Sequence, residues 1–162
     1  MRITIGIDPG LTGAIAVIAD GRVEVFDMPV IASGKGGGTV KNMVDAAGLR
    51  RALEDVIYDG VERLEAVAFL ERVAARPKQG SASTFSMGDT YGCIRGVLAA
   101  LSVPIEIITP QTWKKHFKLG SDKEVVRSKA VQLFPSQPLG RKQDHNRAEA
   151  LLIAKYGREA ST

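Results

Sequence analysis

Residues 64–71, LEAVAFLE, set the tightest constraint on what this chain folds into. Between Glu65 and Glu71 every side chain is apolar, with Ala, Val and Phe where a half-exposed strand would alternate with polar residues. An uninterrupted run of this length reads as a strand covered on both faces, and such strands belong to sheets with helices packed above and below. The run is far too short to cross a bilayer. The chain is therefore expected to form a three-layer α/β structure built around this strand, which ends on an acid, Glu71.

The rest of the chain supplies matching pieces. Residues 2–7, 13–19 and 22–27 read as three short strands rich in Ile and Val, separated by DPGLT and DG turns, and form an antiparallel meander. A glycine-rich stretch, PVIASGKGGGTV at 29–40, is expected to be a flexible loop around 32–39, with Lys35 available to a polyanion. The spacing of Met43, Ala46, Ala47, Leu53 and Ile57 predicts a helix over 42–58, with Gly60 just beyond its end. A long helix is expected after the loop ARPKQGSAS. It carries Phe85, Ile94, Val97, Leu98 and Leu101 for packing, and Gly88, Gly92 and Gly96 at four-residue spacing for a close approach to a neighbouring element or a second subunit.

PIEIIT at 104–109 follows as a strand, and Pro110 opens a short helix after Thr109. The next helix is expected to be capped by Ser121 with Glu124 three residues on. DHNRAEALLIAKYG forms the last helix, stopping near Gly157. With 162 residues the expectation is one domain spanning 1–162.

Hydrophobic residues make up 44% of the chain and charged ones 25%, and no segment has the apolar length of a membrane span. The opening MRITIGIDPG turns polar too early for a secretory leader, so a soluble, cytoplasmic protein is expected, in a bacterium or a phage-infected host, with no membrane association. Cys93 is the only cysteine, which excludes an internal disulfide and argues against a cysteine-based zinc site. The net charge of +4 is compatible with nucleic acid but does not establish it. Distribution is more informative: Lys114, Lys115, Lys118, Lys123, Arg127 and Lys129 crowd one segment, and Arg72, Arg76 and Lys78 follow Glu71.

Four acids from distant parts of the chain converge in this scheme. Asp8 ends the first strand and Glu71 the fourth, and parallel neighbours would bring both to the crevice at their carboxyl ends. Asp144 and Glu149 lie at the start of the last helix, which closes that crevice. Clustered carboxylates repel one another and call for a cation; Mg²⁺, or Mn²⁺ in its place, suits oxygen ligands and leaves positions for phosphate and water. Two such ions would allow in-line phosphodiester hydrolysis. His145 and Glu149, four apart, share a helix face, whereas Asp144 reaches inward only from the first turn or the preceding loop.

Taken together, GIDPGLTGAIAVI, AFLERV and DHNRAEALLIA resemble the RuvC family of Holliday junction resolvases, in particular its smaller phage-type members, across about residues 3–156. The resemblance implies a ribonuclease H-like fold with a central five-stranded mixed sheet. It also implies a homodimer and Mg²⁺-dependent paired nicking of four-way or branched DNA. By residue match Asp8 and Glu71 are the first two metal-binding carboxylates, and Glu149 takes the later acidic position on the last helix. Asn146 stands where bacterial members carry another Asp, so Asp144 with Glu149 and His145 with Glu149 are competing completions of the set. The catalytic candidates are therefore Asp8, Glu71, Asp144, His145 and Glu149, with Asp8, Glu71, Asp144 and Glu149 as metal ligands.

The resemblance places Lys114, Lys118 and Lys123 beside the crevice as phosphate contacts, joined by Lys35, Arg76 and Lys78, while Trp113 anchors its helix in the core. Ala74 stands where many bacterial members have an aromatic that enters the junction. Phe85 would substitute only if its helix faced DNA, and a core position is the expected one. Two alternatives remain at this stage: a nuclease for other branched or flapped DNA, and a noncatalytic junction-binding scaffold. A sugar or acetate kinase relative is set aside, because the chain is too short for that group's two lobes.

Overall fold

The computed structural model describes residues 2–36, 39–75 and 77–161. Its main sheet contains β1 (Arg2–Asp8), β2 (Ala14–Ala19) and β3 (Arg22–Asp27). A hairpin of β4 (Val30–Gly36) and β5 (Thr39–Val44) leads to α1 (Ala46–Ile57), a two-residue pair β6 (Tyr58–Asp59) and β7 (Glu62–Arg63), and then β8 (Glu65–Glu71). There follow α2 (Ser81–Ala100), β9 (Ile105–Ile108), α3 (Pro110–His116), α4 (Lys123–Leu133), a 3₁₀ turn at Lys142–Asp144 and α5 (His145–Ala160).

The five-stranded sheet has the order β3-β2-β1-β8-β9. β1 pairs antiparallel with β2, and β2 with β3, whereas β1–β8 and β8–β9 are parallel, so the sheet is mixed as expected. The apolar run of β8 is buried from Ala66 to Leu70. On one face Ile3, Ile5, Ile7, Ala68 and Leu70 pack with Leu49 and Leu53 of α1 and with Ile94 and Leu98 of α2. On the other, Ala14, Ala16, Val67 and Phe69 pack with Trp113 of α3, Val126 of α4 and Ala150 to Ala154 of α5. Alternate side chains of each strand thus feed two separate cores, which is why β1, β2 and β8 carry so few polar residues.

Several local expectations change. The glycine-rich segment forms the arms of the β4–β5 hairpin, pairing Val30 with Val44 and Ile31 with Met43; residues 37–38 at its centre lie outside those described. That pairing claims 42–44 for a strand, so α1 begins later than the apolar spacing implied. Asp45 caps it, accepting from the Gly48 amide at 2.9 Å. Asp122, not Ser121, caps α4: one of its oxygens accepts from the amides of Glu124 and Val125. Thr109 caps α3 ahead of Pro110, as the sequence indicated.

The last helix does not stop at Gly157 but runs three residues further. A Cβ at Gly157 would collide with the Phe69 ring, and one at Gly6 would collide with the Ala150 and Ala154 backbone. Glycine at these two points lets α5 lie directly against β1 and β8, where any side chain would hold it off. Gly157→Ala is expected to destabilise the protein by about 2 kcal/mol through overpacking at Phe69, read from urea unfolding midpoints.

Candidate active site

β1 and β8 run parallel in a register that pairs Ile7 with Leu70, so the next residue of each strand is an acid, Asp8 and Glu71. α5 crosses the same face of the sheet and delivers Glu149 to them. Burial, then the charge of Glu149, then that of Glu71 raise the Asp8 carboxyl well above the usual carboxylate range, with Lys123 and Lys114 opposing. Burial likewise raises Glu71; its hydrogen bond from Trp113 lowers it, Glu149 raises it and Lys114 lowers it. These couplings mark one electrostatic cluster of three carboxylates and two ammonium groups.

Two contacts hold the cluster in place. The Trp113 indole Nε1 donates to Glu71 Oε2 at 2.7 Å from a fully buried ring. Lys114 Nζ lies 3.6 Å from Glu149 Oε1 and 5.0 Å from the centre of the Trp113 ring. Sequence reading placed Trp113 in the core but missed its bond to Glu71. The available signal was a lone Trp beside the lysines of a short helix.

Asp144 and His145 do not join the cluster. Asp144 is buried and both its oxygens are engaged by Arg141, Oδ1 by the guanidinium at 2.8 Å and Oδ2 by the backbone amide at 2.8 Å. His145 is half-buried, with Nδ1 3.4 Å from the Lys142 carbonyl. Asn146 donates to the Thr12 carbonyl of the β1–β2 turn. Arg147 forms a two-pronged pair with Asp27 at 2.6 and 2.7 Å. The first turn of α5 therefore clamps the ends of β1 and β3, and Glu149 one turn later faces the acids.

The donor set fits a hard divalent cation. It is all oxygen, and burial together with mutual repulsion already opposes the charge of Asp8. Among the described residues no three His, Cys, Asp or Glu groups are gathered closely enough to hold an ion as they stand.

Two surface cavities adjoin part of the cluster. Glu71, Arg72, Val73, Lys78, Gln79, Thr109 and Gln111 line one of them. A second cavity, which also touches Pro110 and Gln111, is lined by Lys114, Lys115 and Lys118. Lys35 sits on the backbone of β4, and Arg76 lies outside the described residues. Phe85, expected in the core, is 77% exposed on α2. Cys93 is partly buried, which raises its thiol and makes it a packing residue.

The sequence matches no protein-family model and no curated protein. Among solved structures, the chain is similar to Thermus thermophilus RuvC, with a TM-score of 0.59 and 15% identity over 99% of this chain and 97% of that one. It is also similar to T. thermophilus RuvC in complex with Holliday junction substrate, with a TM-score of 0.62 and 13% identity over 99% and 98% of the two chains. At these identities the likeness shows the fold, a ribonuclease H-like α/β arrangement. Among the described residues no helix is long and apolar enough to cross a membrane.

Arg141 holds the Asp144 carboxyl, and Arg147 the Asp27 carboxyl, below the ordinary range. A depressed carboxylate stabilises the fold above its unfolded pKa of about 3.9, and that contribution disappears as pH falls through the folded value. Asp144→Asn is expected to lose about 2 kcal/mol at pH 7, and the gap to wild type is expected to close below about pH 4, measured by urea unfolding across pH.

Proposed function

We propose that the protein is a Mg²⁺-dependent endonuclease that resolves four-way DNA junctions by paired nicks. The observation that carries this reading is the convergence of Asp8, Glu71 and Glu149 in one charge-coupled cluster with Lys114 and Lys123. A crevice of acids flanked by cations suits phosphodiester chemistry, where the backbone must be held and the charge developing on phosphorus neutralised. Full-length likeness to a RuvC bound to a Holliday junction supports the junction as substrate.

Asp8, Glu71 and Glu149 would hold the cation, with Glu71 fixed by the Trp113 indole that donates to it. Bound there, Mg²⁺ supplies Lewis acidity and positive charge for hydrolysis that leaves a 5′ phosphate. Lys114 occupies that role in part already, standing against Glu149; on release it is placed to meet a phosphate oxygen. Lys123 is a second cation close enough to lower the Asp8 carboxyl.

Paired nicks need two such clusters, and the exposed stripe of α2 supports it as the face that would meet a second copy. Gly88, Gly92 and Gly96 are exposed, and a Cβ on any of them would meet nothing within 4 Å. Each helical glycine costs about 1 kcal/mol relative to Ala, and the chain itself makes no use of the missing side chains. Phe85 lies on the same stripe. Asp89 and Arg95, three residues either side of Gly92, are exposed and have no ion pair among the described residues. A two-fold axis at Gly92, with the helices crossing antiparallel, brings Asp89 within reach of the partner's Arg95.

With Mg²⁺ and Y, flap, nicked and four-way substrates, wild type is expected to make paired cuts preferentially in the four-way form. Asp8→Asn is expected to retain junction affinity and lose cutting. Equal cutting of all four substrates favours a general branched-DNA nuclease, and wild-type turnover by Asp8→Asn rejects the site. In light scattering, Asp89→Arg and Arg95→Asp are each expected to yield monomers, and the double variant dimers. A monomeric wild type, or a double variant as dissociated as the singles, would contradict the two-fold arrangement.

A further inference from the structure

Between the β1–β2 turn and the N-terminal half of α2 lies a cavity of about 280 Å³. It is lined by Pro9 and Gly10, which follow Asp8 directly, and by Val73, two residues beyond Glu71. Leu11, Val73 and Met87 give it apolar walls, and Ser83, Ser86 and Thr90 line it with hydroxyl-bearing side chains. Among the described residues no charged side chain lines it, although it shares Val73, Ser83 and Met87 with the cavity that contains Glu71.

Both walls are fixed by the fold. The Gly13 amide closes the β1–β2 turn by donating to the Gly10 carbonyl at 3.0 Å, and Asn146 holds the Thr12 carbonyl. A Cβ at Gly13 would collide with the Asp8 carbonyl oxygen, so the turn keeps this tight course. α2 is anchored in the core by Ile94 and Leu98, both fully buried. Thr90, one turn ahead of Ile94, is only 3% exposed. A threonine inside a helix can turn its hydroxyl to the carbonyl four residues back, as Thr84 does to Gly80 at 3.1 Å. Thr90 makes no such bond, and its hydroxyl has no hydrogen-bond partner among the described residues. A polar group buried to this degree costs stability unless something in the cavity meets it.

We propose that this cavity receives one unstacked nucleobase of the DNA strand at the acid cluster, with the Thr90 hydroxyl meeting the base edge. This rests on the nuclease reading above and adds a base-binding pocket to it. A phosphate or a metal ion finds no countercharge in this lining, whereas a neutral, planar heterocycle suits apolar walls carrying a few hydroxyls. The volume falls just below the range of about 300–1,000 Å³ for small-molecule pockets, room for a single base rather than a larger ligand. Unstacking costs least where a base is already unpaired, as at a branch point. A hydroxyl both donates and accepts, so Thr90 distinguishes bases by the atoms on their edges.

The test uses the full chain and four-way junctions in which 2-aminopurine is moved base by base around the branch point, without divalent metal. Wild type is expected to brighten the probe at one position, where the base leaves the stack. Ser86→Phe, which fills the cavity and is confirmed folded by circular dichroism, is expected to abolish that signal. An abasic nucleotide at the same position is expected to weaken wild-type binding about tenfold and to leave Ser86→Phe binding unchanged. Thr90→Val keeps the shape of the side chain and removes the hydroxyl. It is expected to keep the brightening and to level the affinity differences of about fivefold among the four natural bases at that position. A wild type that brightens no position would overturn the proposal, as would a Ser86→Phe signal equal to wild type or base differences unchanged in Thr90→Val. Brightening without any cutting when Mg²⁺ is added would reject the nuclease reading and leave the pocket in place, and cutting without brightening would do the reverse, so the two failures are separable.

Discussion

The parallel pairing of β1 with β8 is the contact on which the rest of the molecule depends. It starts with Arg2 opposite Glu65 and reaches Ile7 opposite Leu70, and the two acids that follow are side by side because the register leaves no other place for them. A slip of one residue would turn Asp8 or Glu71 to the opposite face of the sheet and mix the two cores. Those cores enforce the register: β8 sends Ala68 and Leu70 to α1 and α2, and Val67 and Phe69 to α3, α4 and α5. The position of the acids is therefore guaranteed by apolar packing some distance from any chemistry.

α5 converts this pair into a candidate site. Its close approach, which Gly6 and Gly157 permit, sets the depth of the helix. Its first turn sets the rotation, with Asn146 on the Thr12 carbonyl and Arg147 on Asp27. Once those bonds form, Glu149 faces Asp8 and Lys114, and Asp144 is committed to Arg141. The side chain three residues ahead of Glu149 acts as a clamp on the β1–β2 turn. Such a division explains how an Asn at that position is compatible with an acid cluster.

Much of this was legible in the sequence. An apolar run without alternation required a buried strand and hence three layers, and the strand ends pointed to Asp8 and Glu71. The RuvC resemblance rested on those same residues and on DHNRAEALLIA. What failed was decided by contacts between distant segments. Nothing local in 29–44 distinguishes a glycine-rich loop from hairpin arms until Val30 and Ile31 find Val44 and Met43. Helical spacing put Phe85 with Ile94 and Leu98, yet those two point to the sheet while Phe85 lies on the outer stripe. Asp144 and Glu149 are both acids near one helix start, and only the position of Arg141 separates a salt-bridged carboxylate from one that faces a crevice.

The central claim is that the cation site consists of Asp8, Glu71 and Glu149, with Asp144 structural. Mn²⁺ binding, titrated by electron paramagnetic resonance, tests it most directly on wild type, Glu149→Gln and Asp144→Asn, each confirmed folded by circular dichroism. The account predicts that Glu149→Gln loses the bound-Mn²⁺ population and that Asp144→Asn keeps wild-type binding. Retained binding in Glu149→Gln together with loss in Asp144→Asn would contradict it.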